Sequence, residues 1–284
     1  MVNVGYHSAK IQGQLIRSLY TKSLNQIVKF PIQHQRQVDI DIYAFSCERD
    51  LAIQVANIRS FLRFVGIPAK FVVISDGTYT TKSIHTLQQI HNCVQVFDWQ
   101  ELLTNYVHPI IRKFAVNSPQ KAIMAFWKRL AVLTSMSIDK PTIYTDADIL
   151  FFPGAETIIK LCQSDESHAW YLPDCLPSLD ARLLLNHEKE LHPVNAGFFL
   201  LQQQIDWQEA LDRVEQVIDV PEYFTEQTVV HLAMHKAQAK PLNSEKFVLH
   251  VNDQFRYQDN CNYQQVALRH YVSDIRHKFW LNLV

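Results

Sequence analysis

The chain has 284 residues, 48% of them hydrophobic and 19% charged, with a formal net charge of −1 and a pI near 6.9. That length buries roughly 75% of the unfolded surface in one domain or a domain and a half. The near-neutral balance argues against a general nucleic-acid binder, which carries a marked basic excess. Six scattered glycines exclude a P-loop, a Gly-x-Gly-x-x-Gly dinucleotide site and a Gly-x-Ser-x-Gly nucleophile elbow. No apolar run reaches the length of a membrane span, and the chain opens without a signal-peptide core. Cys47, Cys93, Cys162, Cys175 and Cys261 form no Cys-x-x-Cys, so the expectation is a cytoplasmic protein with reduced thiols and no zinc framework.

Residues 1–38 contain no Asp or Glu but carry Lys10, Arg17, Lys22, Lys29 and Arg36. Ile11, Leu15 and Leu19, with Ile27 and Val28, give an approximate helical stripe. This extension reads as a basic amphipathic segment. Three roles fit it: peripheral contact with an anionic membrane, an acid-poor transit sequence, or a helix packed on the outside of the domain.

From residue 39 to 284 the pattern is that of one α/β domain. Ile40, Ile42 and Ala44-Phe45 suit a strand; Leu51, Val55, Ile58, Leu62 and Val65 make one helical face, with Gly66 as its stop. Phe71-Val72-Val73-Ile74 is a short buried strand ending in the Asp76-Gly77 turn, and Val94–Phe97 is another. Ser118-Pro119 predicts the start of a long helix to about Met136, with Ser as N-cap and Pro at the first position. Next comes the apolar run Pro141–Thr145, ending in Asp146-Ala147-Asp148. Further on, Trp170–Asp174 and Ala196–Leu201 read as strands, Asp206 and Thr225 as helix caps, and Phe247–Val251 as a last strand. Such alternation predicts a mostly parallel central sheet flanked by helices.

The Asp pair carries the chemistry. Alternate residues of a strand share a face, so two carboxylates at i and i+2 stand together at a strand's carboxyl end, where open α/β sheets bind ligands. A hard divalent cation such as Mg²⁺ or Mn²⁺, which also binds substrate phosphates, is the natural occupant. Taken alone, Asp-x-Asp is equally a solvated turn.

Around the pair, Arg129 stands seventeen residues upstream; downstream come Asp174, Asn195-Ala196-Gly197, Glu226-Gln227 and a late His270-Tyr271 followed by Arg276, Lys278 and Trp280. This order resembles the GT-A fold glycosyltransferases, most closely the retaining family that includes glycogenin and the bacterial lipopolysaccharide galactosyltransferases. The resemblance spans roughly residues 39–281 and rests on short motifs in sequence order. It implies a metal-dependent transfer of a sugar from a nucleoside diphosphate, UDP by resemblance, to a hydroxyl acceptor with retention. That acceptor is a glycan, a lipid-linked sugar or a small molecule. The metal ligands implied are Asp146, Asp148 and His270. Arg129 and Asp146 are implied to hold the donor. Asp174, Asn195, Glu226 and Gln227 are implied to line the sugar pocket and act in catalysis.

The family's tail reads His-x-x-Gly-x-x-Lys-Pro-Trp, whereas here the Gly and Pro are missing and the tail is two residues longer. Arg276 holds the family spacing and Lys278 holds the place before the aromatic end, so either is a candidate for the leaving diphosphate. The family has Asp where Glu226 stands. Ser46, Cys47, Glu48 and Asp50, after the first strand, and Asp76, after the second, are further donor-site candidates. Two other readings compete: a non-catalytic sugar-nucleotide-binding or scaffold protein on the same fold, and an Asp-x-Asp phosphatase.

Overall fold

Apolar runs of four to six residues alternate with amphipathic stretches, and they fold into a sheet with helices on both faces. The computed structural model describes residues 3–32, 36–103, 107–118 and 120–283. In chain order the elements are α1 (Val4–Lys22), α2 (Leu24–Ile27), β1 (Gln37–Ser46), α3 (Leu51–Phe64), β2 (Ile67–Ser75), α4 (Thr81–Gln88) and β3 (Val94–Asp98). Then follow α5 (Pro109–Asn117), α6 (Lys121–Ser135), β4 (Thr142–Asp146), β5 (Ile149–Phe151), α7 (Glu156–Cys162), β6 (Ala169–Pro173) and β7 (Val194–Leu201). The chain continues through α8 (Gln208–Val217), α9 (Thr225–Lys236), β8 (Lys240–Pro241), β9 (Phe247–Val248) and β10 (Leu268–His270) to a 3₁₀ tail, Arg276–Asn282.

The main sheet has the order β3-β2-β1-β4-β7-β6-β8, and β7 alone runs against the others. From β1 the chain moves outward through β2 and β3, then returns to lay β4 on the other side of β1. That reversal is the topological switch point at which open α/β sheets bind ligands, beyond the strands' carboxyl ends. Asp146 closes β4 there, in register with Phe45 of β1. A second, three-stranded sheet, β5-β10-β9, hangs below this point.

Strand alternation sends neighbouring side chains into different layers. Ile143 and Phe198 join one core with α3 and the small sheet, while Tyr144 and Phe199 join the other with α5, α6, α8 and α9. The helix predicted from Ser118 to about Met136 is α6, starting later than expected, and α5 precedes it as a separate helix that the sequence did not announce. α6 begins at Lys121 with Gln120 as N-cap, whereas Ser118 ends α5 and turns its hydroxyl back onto the Phe114 carbonyl (2.6 Å). Pro119 lies outside the described residues. Thr225 is the first residue of α9 and does not cap it, because its hydroxyl donates to buried Asp180 at 2.6 Å.

The basic extension folds mainly as α1, which packs on the 3₁₀ tail. Its inner face is Ala9 and buried Gly13, with Ile16 and Tyr20 partly buried beside them. A Cβ on Gly13 would fall 2.3 Å from the His277 carbonyl oxygen, so only glycine permits this approach of helix to tail. The predicted stripe is on the other side: Ile11, Leu15 and Leu19 are 61%, 61% and 66% exposed.

A buried charge network locks the tail to the domain. Arg269 pairs with Asp253 and Asp259, each at 2.9 Å, and the Lys278 ammonium meets Asp259 at 3.1 Å and the Asp253 carbonyl at 2.7 Å. Every charge there has an opposite partner, the condition under which buried ions persist.

One buried group gives the fold a pH dependence. Burial, with His235 edge-to-face 4.5 Å away, pushes the His231 imidazole down to about 4 from 6.5. The folded state therefore prefers the neutral ring. The stability that this contributes is complete above pH 6.5 and is lost as pH falls toward 4. The size of the loss is on the order of 3 kcal/mol. His231→Phe should flatten that part of the profile, read as urea midpoints at pH 7.5 and 4.5; identical slopes in both proteins would refute the assignment.

Candidate active site at the switch point

β4 ends at Asp146, and Ala147-Asp148 turn the chain into β5. The two carboxylates thus converge through a turn and not through strand alternation. Buried Asn57 of α3 holds this turn by donating to the Ile149 carbonyl at 2.9 Å and the Asp146 carbonyl at 3.3 Å. Ser60, one helical turn on, accepts from the Phe151 amide at 3.1 Å.

His270 arrives by sheet pairing. β10 runs antiparallel to β5 with His270 opposite Ile149, and the Tyr271 amide donates to the Asp148 carbonyl at 2.9 Å. His270 Nε2 then lies 3.1 Å from Asp148 Oδ1 and 3.9 Å from Asp146 Oδ2. One ligand atom from each of the three side chains falls within 4.8 Å of the others.

The other ring nitrogen sets the tautomer. Asn195 Oδ1 accepts from the Gly197 amide at 2.9 Å, so it is also the acceptor facing His270 Nδ1 at 3.1 Å. Nδ1 carries a proton, which leaves Nε2 to face the carboxylates. Burial works against charge on both partners, yet the Asp148, Asp146 and Asp174 carboxylates raise His270 above its ordinary value, while His270 and Arg276 hold Asp148 below its own. A proton shared between His270 and Asp148 is what a divalent cation would displace. Two hard carboxylates and an aimed imidazole are a donor set that could hold a divalent cation.

Arg129 of α6 spans from this cluster to α9. Its NH1 donates to the Asp146 carboxylate at 3.2 and 3.3 Å, and Nε and NH2 donate to Glu226 at 3.1 and 2.5 Å. Glu226 is 2% exposed and is raised above its ordinary range by burial, against the pull of Arg129. Buried Tyr144 donates its hydroxyl to Asp146 at 2.7 Å. On the other flank, Asp174 Oδ2 accepts the amides of Asn195 (3.1 Å) and Gln227 (3.0 Å), linking β6, β7 and α9.

The two cations of the tail are separated by the structure. Arg276 lies 3.2 Å from Asp50 and 3.6 Å from Asp148, and its Nε lacks a hydrogen-bond partner among the described residues. Lys278 is fully buried in the Arg269 network and does not reach the cluster. Its ammonium is held by Asp259 and the Asp253 carbonyl, so the donor-binding expectation for Lys278 is corrected to a structural one.

Of the donor-edge candidates, Ser46 is buried and accepts the Tyr79 hydroxyl at 2.8 Å, and Asp76 turns back on Thr78. Glu48 caps α4, accepting from the Thr80 amide at 3.1 Å and the Ser83 hydroxyl at 2.7 Å. Asp50 is bound by Arg49 and Arg276, and Cys47 donates to it at 3.7 Å. These residues line the carboxyl ends of β1 and β2, with Asp50 joined to the cluster through Arg276.

Sequence reasoning missed Asn57, Ser60 and Tyr144. A signal existed for the first two: polar residues interrupting an otherwise apolar helix, with Gln54, Asn57 and Ser60 all buried.

A seven-stranded, mostly parallel sheet with an Asp-x-Asp turn at its switch point, met by a late histidine from a second small sheet, is the GT-A glycosyltransferase fold. Among solved structures the chain is similar to the galactosyltransferase LgtC in complex with donor and acceptor sugar analogues, at 16% identity and TM-score 0.56 over 82% of this chain and 87% of that one. It is also similar to mouse xyloside xylosyltransferase 1 in its apo form, at 14% identity and TM-score 0.56, covering 84% of this chain and 99% of that one. The glycosyltransferase GlyE of Streptococcus pneumoniae matches at 11% identity and TM-score 0.54, over 86% of this chain and 60% of that one. No protein-family model matches the chain, and no curated protein matches it in sequence.

Proposed function

We propose that the protein is a metal-dependent glycosyltransferase that moves a sugar from a nucleoside diphosphate, with UDP as the carrier, to a hydroxyl acceptor. The observation that carries this reading is the convergence of Asp146, Asp148 and His270 at the switch point, with Nδ1 of the histidine fixed by Asn195. A bound Mn²⁺ or Mg²⁺ supplies charge neutralisation for a departing diphosphate. Arg276, whose Nε faces Asp148 at 3.6 Å without a hydrogen bond, supplies a cation beside the cluster for the same diphosphate.

Asp174, Asn195 and Gln227 form a linked set of donors and acceptors for sugar hydroxyls, the arrangement that buried polar recognition requires. Glu226 acts by holding Arg129 against Asp146, which makes it a positioning group. Because its carboxylate faces Arg129, it is not disposed to deprotonate an acceptor, and that supports retention over inversion. Asp146 already accepts from Tyr144 and Arg129, which disfavours it as the nucleophile of a phosphatase.

The test is a thermal-shift panel of UDP, GDP and other nucleotides, each with Mn²⁺ or EDTA, on wild type and Asp148→Ala. A ligand at a hundredfold excess over Kd stabilises the folded state by about 2.7 kcal/mol. The expected result is a UDP shift that needs metal and vanishes in the variant. No shift with any nucleotide would overturn the reading. Binding without hydrolysis or transfer of the sugar would favour the non-catalytic alternative.

A further inference from the structure

We infer that the outward face of α1 is a docking surface for an anionic lipid bilayer. Val4, Ile11, Leu15 and Leu19 recur at helical spacing on the side away from the domain and are 72%, 61%, 61% and 66% exposed. Four large aliphatic side chains in one exposed row mark a surface that is covered in use. The opposite side of the same helix is already satisfied by its seat on the tail, so the stripe is not a misplaced core contact.

Charge selects the occupant. Residues 1–38 hold five Lys or Arg and no acid. Lys22 closes the apolar row, while helical spacing puts Lys10 and Arg17 on one shoulder between the two faces. Cationic side chains of this length reach toward a plane of headgroups while their stems cover apolar surface. A second copy of the chain would bring like charges together along the same row, which disfavours self-pairing. No helix among the described residues is long and apolar enough to cross a membrane, so the contact is one of lying on the surface.

The same helix is tied to the site. Gly13 sits against His277, the neighbour of Arg276, whose guanidinium lies 3.6 Å from Asp148. Docking through α1 would hold the tail one helix diameter, roughly 10 Å, from the bilayer. Resting on the transferase reading, this favours a lipid-linked acceptor.

The experiment is flotation of the full chain with phosphatidylcholine vesicles, with and without phosphatidylglycerol, at low and high salt. Wild type should float only with the anionic vesicles and lose binding at high salt. Reversing Lys10, Arg17 and Lys22 to Glu should lower vesicle affinity by at least fivefold per residue. Ile11→Glu with Leu15→Glu should lower it at least tenfold. Both variants should keep the wild-type unfolding midpoint and metal-dependent nucleotide shift, because neither alters a residue of the site. Unchanged flotation by the variants, or none by wild type, overturns the inference even if nucleotide binding succeeds. Dimers that dissociate in the Ile11/Leu15 variant would assign the face to a second copy instead.

Discussion

Arg129→Met should destabilise the protein by about 3–5 kcal/mol, the usual consequence of leaving a buried charge without its partner. Arg129 is the sole cation in contact with Glu226 among the described residues, and both side chains are at least nine-tenths buried. Removing the guanidinium also frees one side of Asp146, which keeps only Tyr144 and its position near His270. The loss should depend on pH in a defined direction. Without Arg129, burial and the Asp146 charge act on Glu226 unopposed and raise it further; a group whose folded value exceeds its unfolded one stabilises at low pH and ceases to do so as pH rises. The variant should therefore lie closest to wild type near pH 5 and furthest from it near pH 8. Arg129→Met with Glu226→Gln should recover much of the stability without restoring donor binding. Urea midpoints across that pH range test this, and a pH-independent loss that the second substitution fails to rescue would show that the pair is not the source.

Gly197→Ala should weaken metal-promoted nucleotide binding by roughly 10- to 100-fold, the range typical when a ligand's supporting contacts are disturbed. A Cβ at this position would stand 2.3 Å from His270 Cε1 and 2.9 Å from both Asn195 Oδ1 and Asp146 Oδ2. The glycine is required by proximity, not by an unusual backbone: the His270 imidazole occupies the space that a side chain here would fill. One methyl group would push the ring from Asn195 and from the carboxylates together. Overpacking of this kind costs about 1–3 kcal/mol in stability. The expected signature is a folded protein, slightly less stable, that needs far more Mn²⁺ to produce a UDP shift. Wild-type metal dependence in Gly197→Ala would mean that His270 is not a ligand.

The alternation of apolar runs and helical faces was enough to predict β1, β2, β3, β4, β6, β7 and α3, because strands buried on both sides must be apolar throughout. Elements with mixed composition escaped. α4 and α5 have polar or interrupted patterns, and β10 is three residues long with Arg269 at its centre, legible only once Asp253 and Asp259 are seen to neutralise that charge. The face by which α1 seats on the tail escaped for a related reason. Periodicity finds large residues, whereas this helix docks through Ala9 and Gly13, whose value lies in being small.

The sequence by itself determined the class of fold and the side chains that could meet: the Asp pair, the late histidine, Arg129, Asn195 and Gln227. The Asp pair follows from residue chemistry at a strand end, and the others from the order of motifs that the family resemblance supplies. Tertiary structure alone decided how they are shared out. It engaged Glu226 with Arg129, turned Lys278 into the core and left Arg276 beside Asp148. Those assignments depend on which opposite charge lies within a few ångströms after folding, and pairing across a hundred residues leaves no trace in local spacing.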